Sequence, residues 1–368
     1  MFRSRFSFFL ICVALVGAAG AHCRAQGEAP KPWYQLVTVN GFVSSSYSYN
    51  LNRPDTRKNA YRVFDFDDNS FKIDVVELVF RKDAVAAGEA GFRIDITAGS
   101  SIPSVAHSKG LDMGDLDFHQ MYASYIAPLG RGLKIDAGKF ITPAGYEVIE
   151  GYDGYNDNMS RSFLFGYAIP FTHTGVRVAY PFSDAFTGTA IVVNGWDLEV
   201  DNNRSKTVGA QLGFLPASGL LVNATALYGP EQDSSNSANR SLLDVVASYA
   251  VSPLVTLGMN ADFGAEKNAL PDRSDARWMG VAAYLRLNLC ADFSLALRGD
   301  LFDDRDGIRT GTAQKLTGIT LTPEYRPAAG FVVRADLRLD SSDKSVFEKA
   351  GSAAKTQTTI ALNAIYLF

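Results

Sequence analysis

The chain has 368 residues, 47% of them hydrophobic and 12% aromatic, with a formal net charge of −4. That charge excludes the strongly basic surface a nucleic-acid partner needs. Beyond the N-terminus no stretch holds the roughly eighteen uninterrupted apolar residues of a membrane-spanning helix, so the apolar residues are dispersed, as they are in strands.

The N-terminus reads as an export signal. Arg3 and Arg5 precede an apolar run, Phe8 to Ala21, that is too short to span a bilayer. Small residues follow in Ala19-Gly20-Ala21 and Cys23-Arg24-Ala25. Cleavage is expected after Ala25, with Ala21 as the alternative. A lipoprotein signal at Cys23 is disfavoured by His22, which stands where a small residue is wanted. Residues 1–25 are thus assigned to a signal peptide and 26–368 to one barrel domain. Loss of Arg3, Arg5 and Arg24 from 35 basic residues leaves 32 against 39 acidic ones, a net charge of −7. Cys12 and Cys23 leave with the signal, and Cys290 alone cannot form an internal disulfide or a paired-cysteine metal site.

From there the chain alternates apolar and polar residues. Strands are expected at about 36–49, 70–82, 90–98, 117–127, 132–141, 171–181, 185–196, 206–215, 219–229, 241–251, 254–264, 277–288, 292–302, 315–326, 329–340 and 356–368. In 331–340, Phe331, Val333, Ala335, Leu337 and Leu339 share one face, and Arg334, Asp336, Arg338 and Asp340 share the other. The strand from Phe71 begins in one phase (Phe71, Ile73, Val75) and ends in the other (Val76, Leu78, Phe80), which predicts a β-bulge.

The connections alternate in length. Long ones cover 50–69, 99–116, 142–170, 197–205, 230–240, 265–276, 303–314 and 341–355. The short ones include Pro128-Leu129-Gly130-Arg131, Pro181-Phe182-Ser183-Asp184, Ser252-Pro253 and Pro327-Ala328-Ala329-Gly330. A transmembrane antiparallel up-and-down β-barrel has short periplasmic turns and long external loops, whereas a Greek-key sandwich has no reason to alternate them. About 16 strands are expected, with 14 as the fallback. Aromatics beside the short turns (Tyr180, Phe214, Tyr249, Phe293, Tyr325, Phe331) and towards the other end (Tyr47, Tyr49, Tyr228, Phe263) fit two interfacial belts.

The last strand ends on Phe368 with Tyr366, Ala364, Leu362 and Ile360 in the same phase, and it resembles the assembly signal of outer-membrane proteins. Further strings are Gly138-Lys139-Phe140, Gly145-Tyr146-Glu147, Ser160-Arg161-Ser162, His173-Thr174-Gly175-Val176-Arg177, Asn194-Gly195-Trp196-Asp197 and Leu297-Arg298-Gly299-Asp300. Together they make the chain similar to the OmpL-like β-barrel porin family of bacterial outer membranes. The resemblance implies a porin fold in the outer membrane, recognition of Tyr366 and Phe368 by the barrel assembly machinery, and no catalytic residues.

The face opposite the lipid carries the candidate pore lining: Arg93, Asp95, Lys134, Asp136, Lys139, Arg177, Asp262, Arg298, Asp300, Arg334, Asp336, Arg338 and Asp340. Base and acid two positions apart share a strand face about 7 Å apart, and on the lipid side each would cost a few kcal/mol, so they are expected to face an aqueous lumen. There they either meet permeating ions or neutralise one another as a wall network. Their signs are nearly balanced, so strong ion selectivity is not expected.

The longest loop, 142–170, carries Glu147, Glu150, Asp153, Asp157, Arg161 and the apolar Phe163 to Phe165, which are poorly placed in bulk water. It is expected to fold into the barrel and narrow it. Asp65/Asp67/Asp68 and Asp303/Asp304/Asp306 lack the spacing of a calcium loop and read as turns. No GxSxG or HExxH string occurs, and His119 and His173 read as satisfied wall side chains; no enzyme, metal site or cofactor is expected. The reading is therefore passive diffusion of small hydrophilic solutes or ions. Outer-membrane lipid and lipopolysaccharide would surround the barrel, and a homotrimer is compatible with the apolar outer face. A plugged structural or surface-interaction barrel and an outer-membrane hydrolase are the alternatives.

Overall fold

The computed structural model describes residues 32–102, 116–217 and 219–368; the signal-peptide assignment and His107 lie outside them. Trp33–Leu36 forms one 3₁₀ turn in an N-terminal unit that ends at Leu36. From Val37 on, sixteen strands among the described residues close into one antiparallel barrel. They are β1 (Thr38–Asn50), β2 (Ser70–Lys82), β3 (Ala90–Ala98), β4 (Leu116–Ala127), β5 (Leu133–Ile141), β6 (Thr172–Pro181), β7 (Phe186–Val193) and β8 (Thr207–Ala217). There follow β9 (Leu220–Pro230), β10 (Asn239–Ala250), β11 (Val255–Glu266), β12 (Ala276–Asn288), β13 (Phe293–Asp304), β14 (Gln314–Ala328), β15 (Phe331–Ser342) and, after a hairpin of β16 (Phe347–Lys349) and β17 (Ser352–Ala354), β18 (Thr356–Leu367). Each expected strand is present, and each barrel strand pairs with its neighbour in sequence. The hairpin lies inside the expected loop 341–355.

Closure joins the last strand to the first. β18 pairs with β1 from Leu367↔Phe42 to Thr359↔Asn50, and Phe368 extends the ladder: Gly41 N donates to Phe368 O at 2.8 Å. The Phe368 ring lies over Gly41, where a Cβ would sit 2.2 Å from Cζ, so a side chain at this position would have to displace the terminal ring. Closure matters because hydrocarbon offers no partner to an open sheet edge.

The sidedness follows the alternation. On β15, Leu337 is 49% exposed on the outer face while Arg338, its neighbour, is 0% exposed inside. The bulge expected in β2 occurs: Ser44 pairs with Val75 and Ser45 with Ile73, leaving Asp74 as the extra, buried residue.

Candidate functional site

Sixteen strands enclose a space wide enough for an aqueous channel. In this chain much of that space is occupied by the loop between β5 and β6, residues 142–171. It enters against β8 and β9, where Gln211 Nε2 donates to Pro143 O at 2.6 Å. Tyr146 stacks on Tyr284 of β12 (4.1 Å, 18°), and its N–H donates to Asn260 Oδ1. Gly258 makes this approach possible, since a Cβ there would lie 2.5 Å from the Tyr146 ring.

Beyond Tyr146 the loop is tied to the charged wall. Glu147 takes Arg298 Nη1 at 2.8 Å and Glu150 takes Arg334 Nη2 at 2.7 Å. At the loop's far side Tyr152 N donates to Glu77 at 2.6 Å and Asp153 pairs with Arg93 at 2.6 Å. On the return, Asp157 pairs with Arg286, and Asp336 receives the N–H groups of Met159 and Ser160. Arg298 and Arg338 donate to the carbonyls of Ser160 and Arg161, and Asp300 accepts from Phe163 N at 3.0 Å. The loop then makes a π-helical turn, Leu164–Ala168, and Trp278 Nε1 donates to Ala168 O at 3.1 Å.

An apolar cluster holds this turn. Phe163, Leu164, Phe165, Ile169 and Phe171 pack with inward-facing Trp278, Phe302 and Leu316. The aromatic patch avoids water by packing within the barrel, the expected placement. The inner wall is therefore not uniformly ionic: at the long-loop end of β12–β14 it carries the large apolar side chains Trp278, Phe302 and Leu316.

The candidate lining residues divide into two groups. Arg298, Asp300, Arg334, Asp336, Arg338 and Asp340 face inward but are buried beneath the loops instead of lining free water, which corrects the expectation of an exposed ladder. Four of the five candidate i,i+2 pairs are bridged directly, Arg93–Asp95 (2.8 Å), Lys134–Asp136 (3.7 Å), Arg298–Asp300 (3.1 Å) and Arg338–Asp340 (2.6 Å), closer than the 7 Å strand repeat because the long basic side chains lean along the strand. Arg334 and Asp336 are not bridged: the first binds Glu150 and Asn363, the second the loop backbone. Loop 51–69 adds Arg62, which reaches Asp340 at 2.6 Å.

The second group borders a less crowded sector. Asp136 pairs with Arg177 (2.8 Å) and Lys134 (3.7 Å), and Lys134, Arg177, Thr187, Gln211 and Asn223 on β5–β9 retain exposure. Lys139 is held by Asp117 and Glu199. Asp262 faces Asp244 across the β10–β11 ladder. A cavity of about 340 Å³ lies between the loop and the wall residues Glu77, Arg93, His119 and Gln120.

At the long-loop end of the barrel, burial pushes the Glu231 carboxyl up to about 7, against hydrogen bonds from Thr207 Oγ1 (2.6 Å) and Trp196 N (2.8 Å). His173 is satisfied on both nitrogens: Nδ1 donates to Gly195 O at 2.9 Å and Nε2 accepts from Thr142 Oγ1 at 3.2 Å. His119 makes no such pair; its Nε2 is buried without a partner among the described residues.

The architecture recurs in solved structures. The anion-selective porin of Comamonas acidovorans aligns over 90% of this chain and 99% of its own, with 12% identity and a TM-score of 0.63. The outer membrane channel DcaP of Acinetobacter baumannii aligns over 90% and 97%, with 13% identity and 0.63. The outer membrane protein OmpT of Vibrio cholerae, in its trimer form, aligns over 90% and 99%, with 13% identity and 0.58. At such identities the likeness establishes the fold. No curated protein matches the chain in sequence. The pattern of the family described as "Putative beta-barrel porin-2, OmpL-like" matches residues 36–368, the whole barrel, and the chain belongs to that family of outer-membrane β-barrel porins.

Proposed function

We propose that this porin is a narrow, non-enzymatic diffusion channel for small hydrophilic solutes and ions, with its cross-section set by the loop between β5 and β6. The observation that carries the reading is the set of ion pairs across the lumen, Glu147–Arg298, Glu150–Arg334 and Asp153–Arg93, which hold one segment to opposite walls of a closed barrel. Permeation then runs beside the loop, along the part-exposed polar side chains of β5–β9. The two bases on that path, Lys134 and Arg177, share the buried Asp136 carboxylate, which offsets part of their charge, so selectivity between anions and cations is weak. Of the expected pore-lining residues, Lys134 and Arg177 stay on this path with Asp136 buried against them, and Gln211 and Asn223 join them. The buried arginine–carboxylate pairs act as the loop's anchors. Homotrimer formation, a lipid and lipopolysaccharide surround, and delivery through Tyr366 and Phe368 to the barrel assembly machinery belong to the same reading.

The complete burial of Arg298, Arg334 and Arg338 favours one competing reading, a plugged barrel in which the loop seals the lumen. Liposome swelling separates the two. Proteoliposomes placed in sugars of graded size should swell in the smallest and exclude the larger ones. No swelling in any solute, including small salts, selects the plugged barrel.

A further inference from the structure

Three neighbouring strands bring Glu77, Asp95 and His119 to one place on the inner wall. One donor atom from each lies within 4.8 Å of the others, and all three side chains are buried. The convergence depends on an irregularity. Asp95 pairs with Gln120 and Ile96 with Phe118, so His119 is the extra residue of a β-bulge in β4. Consecutive His119 and Gln120 are consequently both buried on the inner side. Bulges re-aim side chains and gather beside functional sites. This one turns an imidazole towards two carboxylates.

The polar atoms are incompletely satisfied. His119 Nδ1 lies 3.5 Å from Glu77 Oε1, and His119 Nε2 is buried with no hydrogen-bond partner among the described residues. An orphaned buried nitrogen is costly and calls for an explanation. Glu77 is oriented through its other oxygen by Tyr152 N, and Asp95 by Arg93 Nε (2.8 Å) and Gln120 Nε2 (2.9 Å). Each carboxylate oxygen has two lone pairs, so both acids keep capacity for a further ligand. The charges also leave a surplus: Glu77, Asp95 and Asp153 are acidic, and Arg93 is the base paired with the last two. A divalent cation would neutralise it. His119 borders both the 340 Å³ cavity and a second one of about 40 Å³, which gives an ion a way in.

We infer that Glu77, Asp95 and His119 bind a divalent transition-metal ion of the zinc class, with Arg93, Gln120 and the Tyr152 amide as outer supports. One imidazole with two carboxylates is a ligand set zinc accepts, with a fourth position left for water. The nitrogen donor disfavours magnesium and calcium, which take oxygen. The ligands come from three strands, which is why no linear spacing announced them. Metal binding is separable from transport, since it does not require an open lumen.

The test titrates zinc chloride calorimetrically into the folded, chelator-stripped, detergent-solubilised full barrel. One saturable Zn²⁺ per chain is expected, unaffected by excess Mg²⁺. His119→Ala and Glu77→Gln should each weaken it at least about tenfold, and His107→Ala should leave it unchanged. Heat-modifiable electrophoretic mobility checks that each variant is folded. Glu77→Gln keeps the acceptor for Tyr152 N and so serves if His119→Ala does not fold. Absence of saturable binding in the native sequence, or binding that survives the substitutions in folded protein, overturns the site.

Discussion

Replacing Arg298 with Met removes the cation that fastens the inner loop to β13. Its guanidinium is fully buried, 2.8 Å from Glu147 and 3.1 Å from Asp300, and it also donates to Ser160 O and, at 3.0 Å, to Thr320 Oγ1. Methionine fills a comparable volume but leaves two carboxylates in the interior without their shared cation. Breaking one partner of a buried pair costs about 3–5 kcal/mol. The strand ladder does not pass through this side chain, since the backbone of residue 298 pairs with Tyr284 and Thr320 whatever stands there. The penalty therefore falls on the docked position of the loop, and at about 1.4 kcal/mol per decade the docked-to-released ratio drops by a factor of about 10²–10⁴. Limited proteolysis of the folded barrel in detergent reads this directly: cleavage within 148–166 should accelerate, and single-channel conductance should rise or flicker. Adding Glu147→Gln should recover part of the loss, because the stranded charge is removed. A folded Arg298→Met barrel with native cleavage rate and native conductance refutes the anchoring role of the pair.

Leu337→Arg places a charge on the lipid side near the middle of β15 and should destabilise the folded barrel by about 2–4 kcal/mol; refolding titrations into lipid bilayers measure this, and a neutral result would mean the outer face is not against hydrocarbon. Glu231 gives a pH dependence at the long-loop end of the barrel. Its folded carboxyl holds a proton up to about 7 against an ordinary 4.5, so its contribution is full below 4.5 and is lost as pH rises through about 7. Amide-exchange protection of Trp196, whose N–H donates to Glu231, should fall between pH 5 and 8, and Glu231→Gln should flatten that slope; an unchanged slope in the variant rejects Glu231 as its source.

The strands were legible because their signals are local. Alternation over 331–340 fixes a two-sided strand by itself, and the phase change between Val75 and Val76 marks the bulge in β2. The same signal exists in β4, where the outward phase shifts between Phe118 and Met121. It marks a second bulge, at His119. The apolar Phe163–Phe165 patch pointed to a loop inside the barrel. Its partners were not legible, because Glu147–Arg298 and Glu150–Arg334 join residues far apart in sequence, and which strand faces which loop residue is decided only by closure. For the same reason the arginine–aspartate repeats gave the correct face but not its solvent content. Alternation says which side is inside, and only the packed loop says that much of the inside is dry.

Single-channel conductance of the barrel lacking residues 148–166, compared with the intact chain in planar bilayers, tests most directly whether the inner loop sets the channel. Removing that segment takes out Glu150, Asp153 and Ser160, which face Arg334, Arg93 and Asp336, and Phe163, Leu164 and Phe165 of the apolar cluster. A clearly larger, less selective unit conductance from a barrel that still folds is the predicted result. Unit conductance equal to that of the intact chain would contradict it.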